Sequence, residues 1–163
     1  MLPGNVRPNQ NGSSLMILGV GTDILAIQRI ERTIKRFGDR FLMRIYSDEE
    51  RARAARRPHP ANMLAMCYAA KEACSKALGT GLRQGVFWRD MAVVHLSSGK
   101  PTMRLSGGAL KRLRAMAGPD MMPEIEVSLT DEAGLAHAIV LIWARPLSSG
   151  RAMAVRIPVR EGA

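Results

Sequence analysis

Apolar and polar positions along this chain follow two periods in turn. Residues 16–21, MILGVG, form a short apolar run ending in glycines and read as a buried strand. In the IQRIERTIKRF segment that follows, Ile27, Ile30, Ile34 and Phe37 recur at helical spacing, while Arg29, Arg32 and Arg36 fall opposite. The pattern predicts an amphipathic helix with an apolar inner face and a basic outer stripe, stopped by Gly38. Ser47-Asp-Glu-Glu50 places a serine three residues before a glutamate, a reciprocal cap that starts a helix near Asp48. The segment Arg56-Arg-Pro-His-Pro60 interrupts that helix. From Ala61 to Leu78 runs the strongest helical stretch, rich in Ala, Met, Leu, Lys and Glu and ended by Gly79. Its Met63, Met66, Ala70, Ala73, Cys74 and Ala77 share one arc, the expected core face.

The second half changes period. Residues 90–96 and 101–105 alternate as strands joined by Ser97-Ser-Gly-Lys100, and Ser106 through Ala117 reads as a helix. Ile125–Thr130 and Ala136–Ala144 are strand-like, separated by an acidic turn at Asp131-Glu132. The flanks break the pattern. Residues 1–15 show no periodicity and read as a disordered leader, with Met16 opening the structured unit. Residues 145–163 hold four Arg, two Pro and a Ser-Ser-Gly, and read as an Arg-rich extension outside the core.

A length of 163 residues favours one domain, and 47% apolar content is ordinary for a globular chain. No window reaches the ~18 consecutive apolar residues of a membrane span, and the amino-terminal stretch lacks the apolar segment of a secretory signal. Cys67 and Cys74, seven apart on one helix, make no disulfide framework, so the chain reads as cytoplasmic. Its net charge of +10 favours anionic partners: nucleic acid, a membrane surface, phosphorylated ligands or an acidic protein. Only seven aromatics argue against stacking on single-stranded nucleic acid.

Several chemistries lack their residues. GVGTDI puts Ile24, and GTGLRQG puts Gln84, where a dinucleotide fingerprint needs its third glycine, and no phosphate loop ends in GKS or GKT. His59, His95 and His137 have no zinc spacing, and both cysteines lie on the core side of their helix. Glu72 and Lys76 are more informative, four apart and away from that core arc. They form either a solvent-exposed helical ion pair or one side of a phosphate site, with the acid holding a hard cation and the lysine neutralising phosphoryl charge. Asp23, after Gly21-Thr22 at the end of a strand, is either a second metal-binding acid or a helix N-cap.

Taken together these residues resemble a known family. Gly19-Val-Gly-Thr-Asp-Ile24, then Arg29-Ile-Glu31, Ala70-Lys-Glu-Ala73 and Lys76-Ala-Leu-Gly-Thr-Gly81 are similar to the small class of 4'-phosphopantetheinyl transferases, the holo-[acyl-carrier-protein] synthases. Gly99-Lys-Pro101, Leu105-Ser-Gly-Gly-Ala-Leu110 and Val127-Ser-Leu129 continue the likeness in order, from about Met16 to Trp143. The resemblance implies an α+β fold: one compact domain over residues 16–144, with a small antiparallel sheet packed on helices and a homotrimer whose active sites lie between subunits. It implies transfer of phosphopantetheine from coenzyme A to a serine of apo-acyl carrier protein, in fatty acid biosynthesis, releasing adenosine 3',5'-bisphosphate.

By matching position, Asp23 and Glu72 would hold Mg2+ against the pyrophosphate, and Glu72, directly or through a water, would help remove the serine proton. Lys76 would stabilise the leaving phosphate, and Gly79, Thr80 and Gly81 would shape the coenzyme A pocket. Arg29 matches a carrier-contacting arginine, and Arg32 and Arg36 join it by sharing its helix face. Residues 29–57 carry ten basic and five acidic side chains, a charge suited to an acidic carrier protein. Two positions depart from the family pattern: Cys67 stands where relatives carry arginine, and Glu126 where many carry histidine. The competing readings are a basic nucleic-acid-binding module and a degenerate family member that binds coenzyme A weakly.

Overall fold

The structure, a computed structural model, describes residues 15–147; the expected leader up to residue 14 and the extension from 148 onward lie outside the described residues. The first element, β1 (Met16–Ala26), is longer than the apolar run and is not buried on both faces. Gly21 and Leu25 point inward, whereas Ile17, Val20 and Ile24 are exposed. The glycines explain the arrangement. A Cβ at Gly19 or Gly21 would strike the carbonyl of Ala77 or Ala73, so these residues do not end the strand but let a helix backbone settle onto it.

Helix α1 (Ile27–Ile45) buries Ile27 and Ile30 as the spacing predicts, but Gly38 kinks it instead of ending it. At φ 53° and ψ −138° Gly38 interrupts the helical path, which then resumes to Ile45. The kink resets the helical phase. Phe41 and Ile45 pack inward beyond it, and Phe37, expected in the core, is half-exposed. Helix α2 (Asp48–Ala55) starts at the predicted reciprocal cap: the Ser47 N–H donates to Glu50 Oε2 at 2.8 Å and the Glu50 N–H to Ser47 Oγ at 3.2 Å.

Helix α3 (Pro60–Ala77) is the centre of the molecule. Its core face is wider than the predicted arc, because Leu64, Ala65, Cys67, Ala69 and Lys71 are buried along with Ala70, Ala73, Cys74 and Ala77. Met63 and Met66 are only partly buried. A single turn of tighter helix at Trp88–Asp90 leads into β2 (Met91–His95), which pairs antiparallel with β3 (Pro101–Leu105) as predicted. Helix α4 (Gly107–Ala117) follows, then β4 (Met121–Glu132) and β5 (Leu135–Pro146).

Strand β5 lies between β1 and β4 in a three-stranded antiparallel sheet. The hairpin turns at Ala133-Gly134, both at positive φ (50° and 78°), and not at the acidic pair. Asp131 and Glu132 stay in register opposite Ala136 and Leu135 because a two-residue turn needs the left-handed conformation that its glycine supplies. Strand β5 also runs on through Arg145 and Pro146, which the sequence pattern assigned to the extension. Thr102 on β3 donates its hydroxyl to the Ile125 carbonyl on β4 (3.1 Å), tying the two-stranded ladder to the larger sheet. Leu64 and Ala73 of α3, Val93 and Leu105 of the ladder and Val140 and Ile142 of β5 meet in one core.

Candidate active site

Tyr68, Glu72 and Lys76 stand one helical turn apart on the least covered stripe of α3, beside the inward face of β1. The close approach at Gly19 and Gly21 brings Asp23 to this stripe. Lys76 Nζ lies 2.8 Å from Asp23 Oδ1 and donates to the Thr22 carbonyl at 2.9 Å. The structure therefore corrects one of the alternatives at each position. Lys76 reaches across to β1 and is not a helical surface partner of Glu72. Asp23 caps no helix, since Ala26 occupies the N-cap of α1 without a side-chain bond.

Glu72 shares the charge environment of that pair. Partial burial pushes its carboxyl up from an ordinary value of 4.5, and the negative charge of Asp23 pushes it further, with Lys76 and Arg29 opposing. Tyr68 is raised first by burial and then by Glu72. The Arg29 guanidinium lies 5.9 Å from the centre of the Tyr68 ring, and Tyr68 packs on Trp88 at 4.5 Å. Two carboxylates, an ammonium and a guanidinium thus meet at one place.

The chemistry of these donors fits a hard divalent cation. A carboxyl whose proton affinity is raised by a neighbouring carboxylate, as Glu72's is by Asp23, gains from a shared cation, and Lys76 is bonded to Oδ1 of Asp23. Among the described residues no group of three or more His, Cys, Asp or Glu could hold a metal ion. The acids suit a cation such as Mg2+, which takes one or two carboxylates and completes its shell with waters and substrate phosphates.

One depression adjoins the cluster at Tyr68, and another lies farther along α3. A groove of about 460 Å³ runs between α1 and Trp88, lined by Phe37, Arg40, Phe41, Arg44, Ile45 and Tyr68. Arg40 and Arg44 were not singled out from the sequence. They lie past Gly38, and the kink turns them onto this groove. Of the predicted basic stripe, Arg29 reaches Tyr68, Arg36 lies over the Phe37 ring at 4.9 Å, and Arg32 is exposed. A second cavity, of about 370 Å³, lies at the amino-terminal half of α3, where Arg53, Arg57, His59 and His95 face Asp131 and the partly buried Met63 and Met66. A run of arginines broken by prolines at 56–60 was the available signal for it.

Gly79-Thr-Gly81 closes α3. The Gly81 N–H donates to the Ser75 carbonyl at 3.0 Å, and Arg112 Nε donates to the Leu78 carbonyl at 2.9 Å. Cys67 is buried in the wall of the cationic cavity, and burial raises its thiol well above the usual range. Glu126 pairs with Lys100 at 2.5 Å, so its negative charge is neutralised within the chain. His137 faces Thr22 across the β1–β5 ladder at 2.9 Å, away from the other histidines.

Known proteins are similar to this chain in sequence and fold. Residues 19–117 match the 4'-phosphopantetheinyl transferase superfamily. A holo-[acyl-carrier-protein] synthase of Rhodopseudomonas palustris is 54% identical over 138 residues, covering 82% of this chain and 99% of its own length. The crystal structure of the Neisseria meningitidis holo-[acyl-carrier-protein] synthase superposes with a TM-score of 0.69 at 36% identity, covering 78% of this chain and 98% of that one. The Helicobacter pylori counterpart, solved in complex with coenzyme A, superposes at 0.64 with 29% identity over 76% of this chain and 98% of its own.

Proposed function

This chain belongs to the 4'-phosphopantetheinyl transferase superfamily, and on that premise we propose that it moves the 4'-phosphopantetheine group of coenzyme A onto a serine of apo-acyl carrier protein. The observation that carries the proposal is the meeting of Asp23, Glu72 and Lys76 where β1 lies against α3. The serine oxygen attacks the phosphorus that bears the pantetheine arm, and the bond from that phosphorus to the bridging oxygen breaks. Adenosine 3',5'-bisphosphate leaves with the bridging oxygen.

Each side chain has a task in this exchange. Glu72, made more basic by burial and by Asp23, accepts the serine proton directly or through a water. Lys76, fixed by Asp23 and the Thr22 carbonyl, offsets the charge that grows on the leaving phosphate. Mg2+ held by Asp23 and Glu72 would polarise the pyrophosphate when bound. The cavity rimmed by Arg53, Arg57, His59 and His95 suits the phosphate-bearing nucleotide end of the donor, and the Gly79-Thr-Gly81 turn lies one turn beyond Lys76. The groove with Arg40 and Arg44, continued by Arg29, offers positive charge and apolar surface to an acidic carrier protein, with Arg32 and Arg36 adding to its field.

The outer face of β1 and β5 presents Ile17, Val20, Ile24 and Ile139 to solvent. We read it as the surface on which subunits meet in a homotrimer. Holo-carrier protein made in this way would serve fatty acid biosynthesis in the cytoplasm. The test is intact-mass analysis of apo-acyl carrier protein after incubation with this protein, coenzyme A and Mg2+. The carrier should gain one phosphopantetheine group, and should gain none when a chelator removes the metal. An unmodified carrier under saturating donor would overturn the proposal.

A further inference from the structure

Lys71 and Glu50 form an ion pair, 2.9 Å apart, with both side chains wholly buried. A stability role alone would be served by the pair, yet the lysine does more. Its ammonium also donates to three main-chain carbonyls: Ile45 at 2.8 Å, Met91 at 2.6 Å and Trp88 at 3.4 Å. Glu50 in turn accepts from the N–H groups of Ser47 and Val93, each at 2.8 Å. The anchors are not scattered. Ile45, which ends α1, Trp88 and Tyr68, one turn before Lys71 on α3, all line the arginine groove.

We propose that Lys71 is a positioning residue that sets the width of this groove, and through it the fit of the acyl carrier protein. Its ammonium is hydrogen-bonded to the main chain of both Ile45 and Trp88, and its own helix supplies Tyr68 to the same lining. The other contacts named at this groove are looser among the described residues: Tyr68 and Trp88 touch through their rings, and Arg29 reaches Tyr68 as a cation over an aromatic face. Losing the ammonium frees the Ile45 and Trp88 segments to move apart while leaving Asp23, Glu72 and Lys76 on their own elements. The inference rests on the transferase reading above.

The experiment measures kcat and both KM values for Lys71→Met and for Glu50→Gln/Lys71→Met, with folding followed by thermal melting. The double variant leaves no buried charge and keeps the test decidable if Lys71→Met alone does not fold. In both variants the KM for apo-acyl carrier protein should rise about ten-fold, while the KM for coenzyme A stays within about two-fold. A purely structural role predicts a lower melting temperature with the carrier KM unchanged in the folded protein, and that result would overturn the inference. So would a coenzyme A KM that rises in step with the carrier's. Absence of any transfer by the unsubstituted protein would instead sink the transferase reading itself, so the two failures are told apart.

Discussion

His95 is partly buried beside Arg53 and Arg57, and its Nδ1 is buried with no hydrogen-bond partner among the described residues. Burial first, then the Arg53 charge, pushes its imidazole below an ordinary value of 6.5, with Glu49 opposing. The folded protein therefore binds fewer protons here than the unfolded chain. The contribution is whole above pH 6.5 and is lost as pH falls through the lowered value. Melting curves between roughly pH 7.5 and 5.5 should show stability declining toward acid, and His95→Gln should flatten that slope. An unchanged slope in the variant would contradict this account. At the same scale, Asp23, Glu72 and Lys76 stand out in the sequence as candidates for chemistry because an acid at a strand end and a Glu-to-Lys spacing are local patterns. The ion pair between Lys76 and Asp23, 53 residues apart, does not. Nor does the burial of Lys71: beside Glu72 in the sequence it looks like any helical lysine, and only the backbone arriving at Ile45, Trp88 and Met91 makes it an internal anchor.

At the scale of elements, the contact between β1 and α3 decides the site. Gly21→Ala would drive a methyl group into the Ala73 carbonyl, and strand or helix backbone must move to relieve it. The variant should lose about 3 kcal/mol in denaturant unfolding and most of its transfer activity, because Asp23 shifts with the strand. A variant of wild-type stability would refute the packing argument. The capped start of α2, the β2–β3 hairpin and α4 were read correctly from sequence because caps, glycine turns and short-range periodicity fix them locally. The errors fell where long-range geometry prevailed. Gly38 signalled a break, but packing of Phe41 and Ile45 carries the helix past it, and Asp131-Glu132 looked like a turn until strand pairing moved the turn to Ala133-Gly134.

For the whole molecule, the net charge of +10 is divided among surfaces with different tasks. Arg40 and Arg44 face the groove, Arg53 and Arg57 face the second cavity, and Arg112 caps a helix. On the proposed function, that division, invisible in a total, gives a phosphate-rich donor and an acidic protein acceptor separate surfaces. The apolar face of β1 and β5 was equally hidden, because an apolar run in sequence does not say which side a helix will cover. On the proposed homotrimer, Val20→Glu with Ile139→Glu should leave the subunit folded, turn the assembly into a monomer by sedimentation velocity and abolish transfer. A double variant that still sediments with the unsubstituted protein would rule this face out as the subunit contact.

Glu72 carries the heaviest load in this account, since it would serve as both ligand and proton acceptor. The most direct measurement is the single-turnover rate of phosphopantetheine transfer by Glu72→Gln, with its melting temperature recorded in chelator. The account predicts a loss of about 10²–10⁴-fold in rate. It also predicts a melting temperature at or above that of the unsubstituted protein, because a partly buried carboxylate opposed by Asp23 has been removed. Transfer at the unsubstituted rate by a folded Glu72→Gln variant would contradict it.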